Sequence, residues 1–487
     1  YPPTRICLNQ DCPHLQTTGQ AHRLHDPRRY MAALYTVGRG AFPVIVTSLR
    51  CRSCSSTYHL NYYCKTSIDH TEWRVYYEGV PSVIKVRQHA LFESKLCQLF
   101  RSLTVHSHSS FTATSKVYNS TLSAPPQHGC DVPHLQPKDI ATAFDLYALL
   151  LHHHEQRSRL QLPESAANEV DRLAVAMEDR NRFMAGTGQE YWAHACDLCQ
   201  KHFIREGQEY TLSCAITDGV SIGRPCCSVH NCAKSLPNNR ARYCELHEPL
   251  NHICAIEDCD QPVEQDMRTC SRPDHRQVEL NYKAVGQSFN LLKTRLQRAT
   301  EYIRGPELLE PDTEEQLIVR PCGVILSRGT FYGAEALSSV ADFLMSVFPS
   351  RKSLPDVVFY DNNCQLHRYI ADRPKLRHHF QDTALVVDIF HYKTKHSIAD
   401  EYCGRHCNAL VYPELFDEEK KTWTFNSSAC EQTNAWINNY QSIVREMLPV
   451  RYEFFLDEVI KERNRHIVEE LRKRGHMPHL VPSSELF

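Results

Sequence analysis

The sequence predicts an α/β core that is interrupted by one metal-binding module and preceded by another metal-binding region and a helical region. Three observations carry this. The last third alternates apolar strand-like runs with helix-like runs. Ten cysteines crowd between Cys196 and Cys270. A strand-like run, TLSCAITDG, delivers Asp218 to the edge of that crowd.

The 487 residues are enough for two to four domains. At 42% hydrophobic and 23% charged, the composition is that of a globular chain. A formal net charge of −2 implies no strong overall pull toward nucleic acid or an anionic membrane, although a local basic surface is compatible with it. Runs such as VIVTSL and LVVDIF fall far short of the roughly 20 residues a membrane span needs, so no membrane partner is expected. The opening YPPTRIC does not read as a signal peptide, and looks like a chain cut at a domain edge or relieved of a leader. Without a secretion signal, CxxC and CxxH spacings among 22 cysteines favour zinc over disulfides.

Residues 1–80 form the first region. Cys7 and Cys12 precede the strand AFPVIVTSL, and CRSCSSTYHLNYYCK follows it. Cys7, Cys12, Cys51 and Cys54 make the simplest four-ligand set, with His59 and Cys64 as spares. Residues 81–194 read as helical: ALFESKLCQLFRSL and ATAFDLYALLLHHHEQRSRL space apolar residues three to four apart. The run His152–His154 is placed on the surface, because adjacent helical residues diverge.

Residues 195–225 open the core, with the strand ending at Asp218. Residues 226–280 form the inserted cysteine module. It contains two similar ligand sets, Cys227, Cys232, Cys244, His247 and Cys254, Cys259, Cys270, His275, with Cys226 or His230 able to substitute. Each set is a closed Cys₃His complement, which is structural zinc chemistry with no open position. In segments this short the metal replaces a missing hydrophobic core. Residues 281–320 read as a helical linker. A third set, His391, His396, Cys403 and Cys407, lies in FHYKTKHSIADEYCGRHCN.

Residues 321–450 complete the core, with strands in PCGVILSRG, DVVFYDNNC and ALVVDIFH and helices in FYGAEALSSVADFLMSVF and CEQTNAWINNYQSIVREM. A helix and tail fill 451–487. Asp218 and Asp361 both sit just past apolar strands, where open sheets present functional groups. Glu431 comes from the helical region that follows. Three converging carboxylates are the hard oxygen set that holds Mg²⁺ for two-metal phosphoryl transfer. Asp388, at the end of LVVD, competes with Asp218 for a place in that set.

The motifs YPPTRIC, CRSCSSTYHLNYYC, TDGVSIGRPCCSVHNC, RPCGVILSRG, VVFYDNNCQL, VDIFHYKTKH and FNSSACEQTNAWINNYQSIVREM together resemble the Kyakuja–Dileera–Zisupton (KDZ) transposases, especially fungal members with associated cysteine clusters. The resemblance implies an RNase H-like DDE recombinase core, with Asp218, Asp361 and Glu431 as its first, second and third acids. It also implies catalytic Mg²⁺ beside structural Zn²⁺, double-stranded DNA at transposon ends and target as partner, and action in the nucleus. Coordinated cleavage of two ends adds a homodimer or a higher assembly. The competing expectation is a catalytically inactive, transposon-derived zinc protein that binds DNA or protein.

Overall fold

The computed structural model describes all residues except 67–70, 124–132, 206, 230–231, 239–240, 257–258, 293–311, 333–335, 390–391 and 393–400. The described residues divide into two compact units. Among them, no helix is long and apolar enough to cross a membrane.

The first unit is built on an eight-stranded sheet. Its strands are β1 (His25–Thr36), β2 (Gly40–Arg50), β3 (Thr57–Tyr58), β4 (Tyr62–Thr66), β5 (Glu72–Tyr76), β6 (Val83–Arg87), β7 (Ala90–Glu93) and β8 (Gln161–Pro163), in the spatial order β6-β7-β1-β2-β3-β4-β5-β8. The sheet therefore continues past residue 80, into the region expected to be helical. ALFE, at the head of an expected helix, is strand β7, paired parallel to β1 through Ala33↔Ala90. Helices Ser94–Ser107, Pro137–Glu155 and Glu169–Met184 follow. Their buried faces (Leu96, Phe100, Ile140, Leu149, Met177) share one core with Tyr35, Tyr62 and Phe92 of the sheet. Burial of large aromatic and aliphatic side chains is the main favourable term here. His152 is a correction to the surface reading. It is buried against Phe183, ring centroids 5.1 Å apart, and burial pushes its pKa down to about 4.

A buried charge cluster joins three helices of this unit. Glu458, on helix Pro449–Lys473, takes Arg101 at 2.9 Å and also pairs with Arg180. All three side chains are almost wholly excluded from water. Burial works to raise the Glu458 carboxyl, but Arg180 and Arg101 outweigh it and hold its pKa at about 2. Arg101 also meets Glu462 at 2.8 Å and Arg180 meets Asp457 at 3.6 Å, so loss of Glu458 removes one of two carboxylates from each arginine.

The second unit is built on a six-stranded sheet. Its main path runs Ile325–Tyr332, Asp312–Val319, Gln208–Pro225, Val357–Phe359, Ala384–Val386, and Gln200–Arg205 pairs with Gln208–Pro225 off that path. Counting the short strand His194–Ala195 as β9, these are β10 (Gln200–Arg205), β11 (Gln208–Pro225), β12 (Asp312–Val319), β13 (Ile325–Tyr332), β14 (Val357–Phe359) and β15 (Ala384–Val386). β12 is antiparallel to β11, whereas β14 lies parallel to both β11 and β15.

β12 corrects the reading of 281–320 as a helical linker. Helix Pro273–Leu292 opens that segment, residues 293–311 lie outside the described residues, and the end is a core strand. Its acidic start hid it: Glu315 is fully buried, and Arg328 at 3.0 Å with the Thr330 hydroxyl at 2.7 Å satisfies it. β12 also explains how an insertion after Asp218 is tolerated. Pro225 pairs with Asp312, so the inserted segment leaves and re-enters the sheet between neighbouring strands.

Glu458→Gln should lower the stability of the full chain by about 1.5–3 kcal/mol in denaturant titration, since both arginines keep a second carboxylate. Because the Glu458 pKa is depressed, its stabilisation is present above the unfolded carboxylate value of about 4.3. It is lost as pH falls through about 2, so the wild type should lose stability over that window and the variant should lose less.

Candidate functional site

The cysteine clusters are assembled by neighbouring turns. Cys7 and Cys12 come from the amino-terminal segment, and Cys51 and Cys54 from the loop that leaves β2. The four donor atoms lie within 4.8 Å of one another. Cys7 and Cys54 sulfurs are 3.5 Å apart and Cys12 and Cys51 3.9 Å apart. A disulfide would require about 2.05 Å. Four Zn–S bonds of about 2.3 Å in a tetrahedron place sulfurs about 3.8 Å apart. The spacing fits zinc and does not fit a disulfide. The spares stand aside: His59 is held neutral by burial, its pKa near 3, and Cys64 packs against the main core.

The inserted module repeats the arrangement twice. Cys227, Cys232, Cys244 and His247 form one group; Cys254, Cys259, Cys270 and His275 form the other. Cys232–Cys244 is 3.8 Å and Cys259–Cys270 is 3.9 Å. In both groups histidine presents Nδ1, at 3.4 Å from Cys227 and from Cys254. That is close to the roughly 3.6 Å expected for sulfur and nitrogen on one tetrahedral zinc. The Cys270 backbone N–H also donates to Cys254 Sγ at 3.4 Å, a contact that supports a thiolate ligand. Cys226 is buried outside both groups, and His230 lies outside the described residues.

These three cysteine groups fit structural zinc. For the set at His391, His396, Cys403 and Cys407, both histidines lie outside the described residues. Cys403 and Cys407 are buried beside Cys364 and Val387 in an apolar cluster.

The acidic residues converge through strand register. Ile216 of β11 pairs with Phe359 of β14, and Phe359 pairs with Val386 of β15. Asp218, Asp361 and Asp388 each follow their paired residue by two positions. Side chains two apart share a face, and neighbouring strands lie about 4.8 Å apart. The register thus sets the three aspartates in one row, with Asp361 in the middle. Helix Ala429–Ile437, packed on β11 and β12, adds Glu431 in its first turn. All four carboxylate residues line one cavity of about 10 Å³, the size of a single water or ion, with Thr217, Tyr360 and Ser427 among its walls. Asp218 and Asp388 therefore sit in the same site.

Two asparagines hold the row. Asn434, one turn after Glu431, donates to Asp218 Oδ2 at 2.8 Å and to the Gly219 carbonyl at 3.3 Å, and the Gly219 N–H donates to Asp218 Oδ1 at 3.0 Å. Asn363, fully buried, donates to the Val358 carbonyl at 2.8 Å and the Val386 carbonyl at 2.7 Å, tying β14 to β15 just beneath Asp361 and Asp388. A Cβ at Gly219 would lie 2.7 Å from Glu314 Oε1, so the Glu314 side chain would have to shift to admit one. TDG lies within strand β11.

Two family models match the chain. Residues 1–122 match the CxC5-like cysteine cluster associated with KDZ transposases, and residues 216–281 match the CxC6-like cysteine cluster associated with KDZ transposases. Both models describe cysteine clusters associated with KDZ transposases, and they fall on the amino-terminal region and the inserted module. No curated protein and no solved structure matches the chain. The second match begins at Ile216, so Asp218 falls within it.

Cys254→Ser should lower bound zinc, measured by elemental analysis, by one ion per chain. The Cys7–Cys54 site should stay loaded, because its ligands come from a separate segment.

Proposed function

We propose that the chain is a DDE-type DNA transposase with an RNase H-like core, acting on double-stranded DNA at transposon ends and target in the nucleus as a dimer or larger assembly. The observation that carries the reading is the row of Asp218, Asp361 and Asp388 at adjacent strand ends, closed by Glu431 from a helix. A mixed sheet in which β12 runs antiparallel to β11 while β14 and β15 run parallel to it agrees with an RNase H-like core. The association of both cysteine clusters with KDZ transposases agrees with the DNA substrate.

The carboxylates fit Mg²⁺, which prefers oxygen ligands and retains positions for water and phosphate. Asp218, Asp361 and Glu431 would hold the ions, with Asp388 lining the same cavity. When bound, paired Mg²⁺ ions lower the pKa of an attacking water or 3′-hydroxyl and neutralise charge on the departing oxygen. The protein's own part is positional. Asn434 and the Gly219 N–H fix both oxygens of Asp218, and Asn363 fixes the strand ends that carry the other two aspartates. The small cavity leaves the scissile phosphate at the rim, where a duplex end can reach it.

Asp361→Asn should abolish divalent-dependent nicking of a transposon-end duplex, with a loss of at least ~10³-fold, while DNA binding is retained. Binding without nicking in either protein, with Mg²⁺ or Mn²⁺, would favour the inactive zinc protein instead. Asn434→Ala should keep the fold and weaken Mn²⁺ binding about 10–100-fold, the usual effect of removing an outer-shell partner. Mn²⁺ titration followed by electron paramagnetic resonance checks this.

A further inference from the structure

The two cysteine-cluster regions differ in charge. Residues 1–66 hold eight Lys/Arg against two Asp/Glu, whereas residues 226–281 hold six against nine. Similar zinc chemistry therefore sits on surfaces of opposite sign.

Placement sharpens the contrast. In the amino-terminal region, Arg5, Arg23, Arg28, Arg29 and Arg50 are all exposed. They gather at the zinc end of the sheet. The Leu24 N–H donates to the Arg5 carbonyl, Arg23 bridges Ile6, and Arg50 pairs with His25 just before the ligand Cys51. Arg28 follows in β1 opposite Ser48, which lies two residues before Arg50, so Arg28 and Arg50 share one face of the sheet; Arg29, opposite Thr47, projects from the other. Among the described residues none of these five forms an ion pair; the ion pairs at this end are Arg52 with Asp26 at 2.7 Å and Lys65 with Asp11 at 3.8 Å. In and beside the inserted module Arg272 pairs with Asp274, Arg276 with Glu264, and Lys283 with Glu279, while among the described residues Lys234, Arg242 and Arg268 form no ion pair.

Unpaired arginines clustered on a rigid sheet end are suited to phosphate, which accepts bidentate hydrogen bonds from guanidinium and releases counterions when it is neutralised. The acidic excess of the inserted module would repel the same ligand. We propose that the zinc end of the amino-terminal sheet is the surface that grips the phosphate backbone of double-stranded DNA, through Arg23, Arg28 and Arg50, and that the inserted module does not touch that backbone. This rests on the proposed DNA substrate but not on the carboxylate row.

The test is fluorescence anisotropy of the full chain with a duplex of about 30 base pairs across a salt series. EDTA-treated, Mg²⁺-free buffer keeps catalysis out of the readout. Arg23→Gln/Arg28→Gln/Arg50→Gln should weaken binding at least ~10-fold near 150 mM salt. It should also flatten the slope of log K against log salt by about 0.9 for each phosphate no longer neutralised. The corresponding triple lysine variant should retain the slope, which separates removal of charge from failure to fold. Lys234→Gln/Arg242→Gln in the inserted module should bind as the wild type does. An unchanged slope in the triple glutamine variant, a loss of binding in the module variant, or wild-type protein that binds anionic vesicles but no duplex would each overturn the assignment. Duplex binding that depends on these arginines, in a chain that never nicks, would sustain this inference while sinking the catalytic one.

Discussion

The pairing of Ile216 with Phe359 and of Phe359 with Val386 is the constraint on which the candidate site depends. A strand that slipped by one residue would turn its aspartate to the opposite face of the sheet. The register is protected by apolar burial, since Val357, Val358, Phe359, Leu385 and Val386 are almost fully excluded from water. It is also protected by Asn363, whose amide spans the two strand ends. Polar groups buried this deeply are stable only when satisfied, so the Asn363 bonds fix one arrangement and penalise its neighbours.

The cysteine module is compatible with that core because of where it enters. The chain leaves β11 after Pro225 and rejoins through Asp312 of β12, which pairs with it. The sheet then sees the insertion as an extended hairpin loop. Within the module, short segments with little apolar surface are organised around Cys₃His groups, so metal binding and local folding are one event. The amino-terminal region uses four thiolates in the same way, but joins a large aromatic core that does not depend on metal.

Much of the site was legible in the sequence. Ligand spacing grouped Cys227 with His247 and Cys254 with His275, because loops of that length close on one ion. Apolar runs ending in acid pointed to Asp218, Asp361 and Asp388. The relation among those acids was not legible, since register is a property of pairing partners and not of one strand. β12 was hidden for a related reason: Glu315 and Gln316 are residue types that usually face water, but here they are buried against Arg328 and Thr217. ALFE escaped notice because helix and strand patterns are indistinguishable over four residues.

Anomalous scattering from crystals grown with Mn²⁺ tests the central claim most directly. Manganese bound in the row, with Asp218, Asp361 and Glu431 among its ligands, is the predicted result. Crystals that bind Mn²⁺ elsewhere and leave the Asp218–Asp361–Asp388 row without a peak at millimolar metal would contradict it.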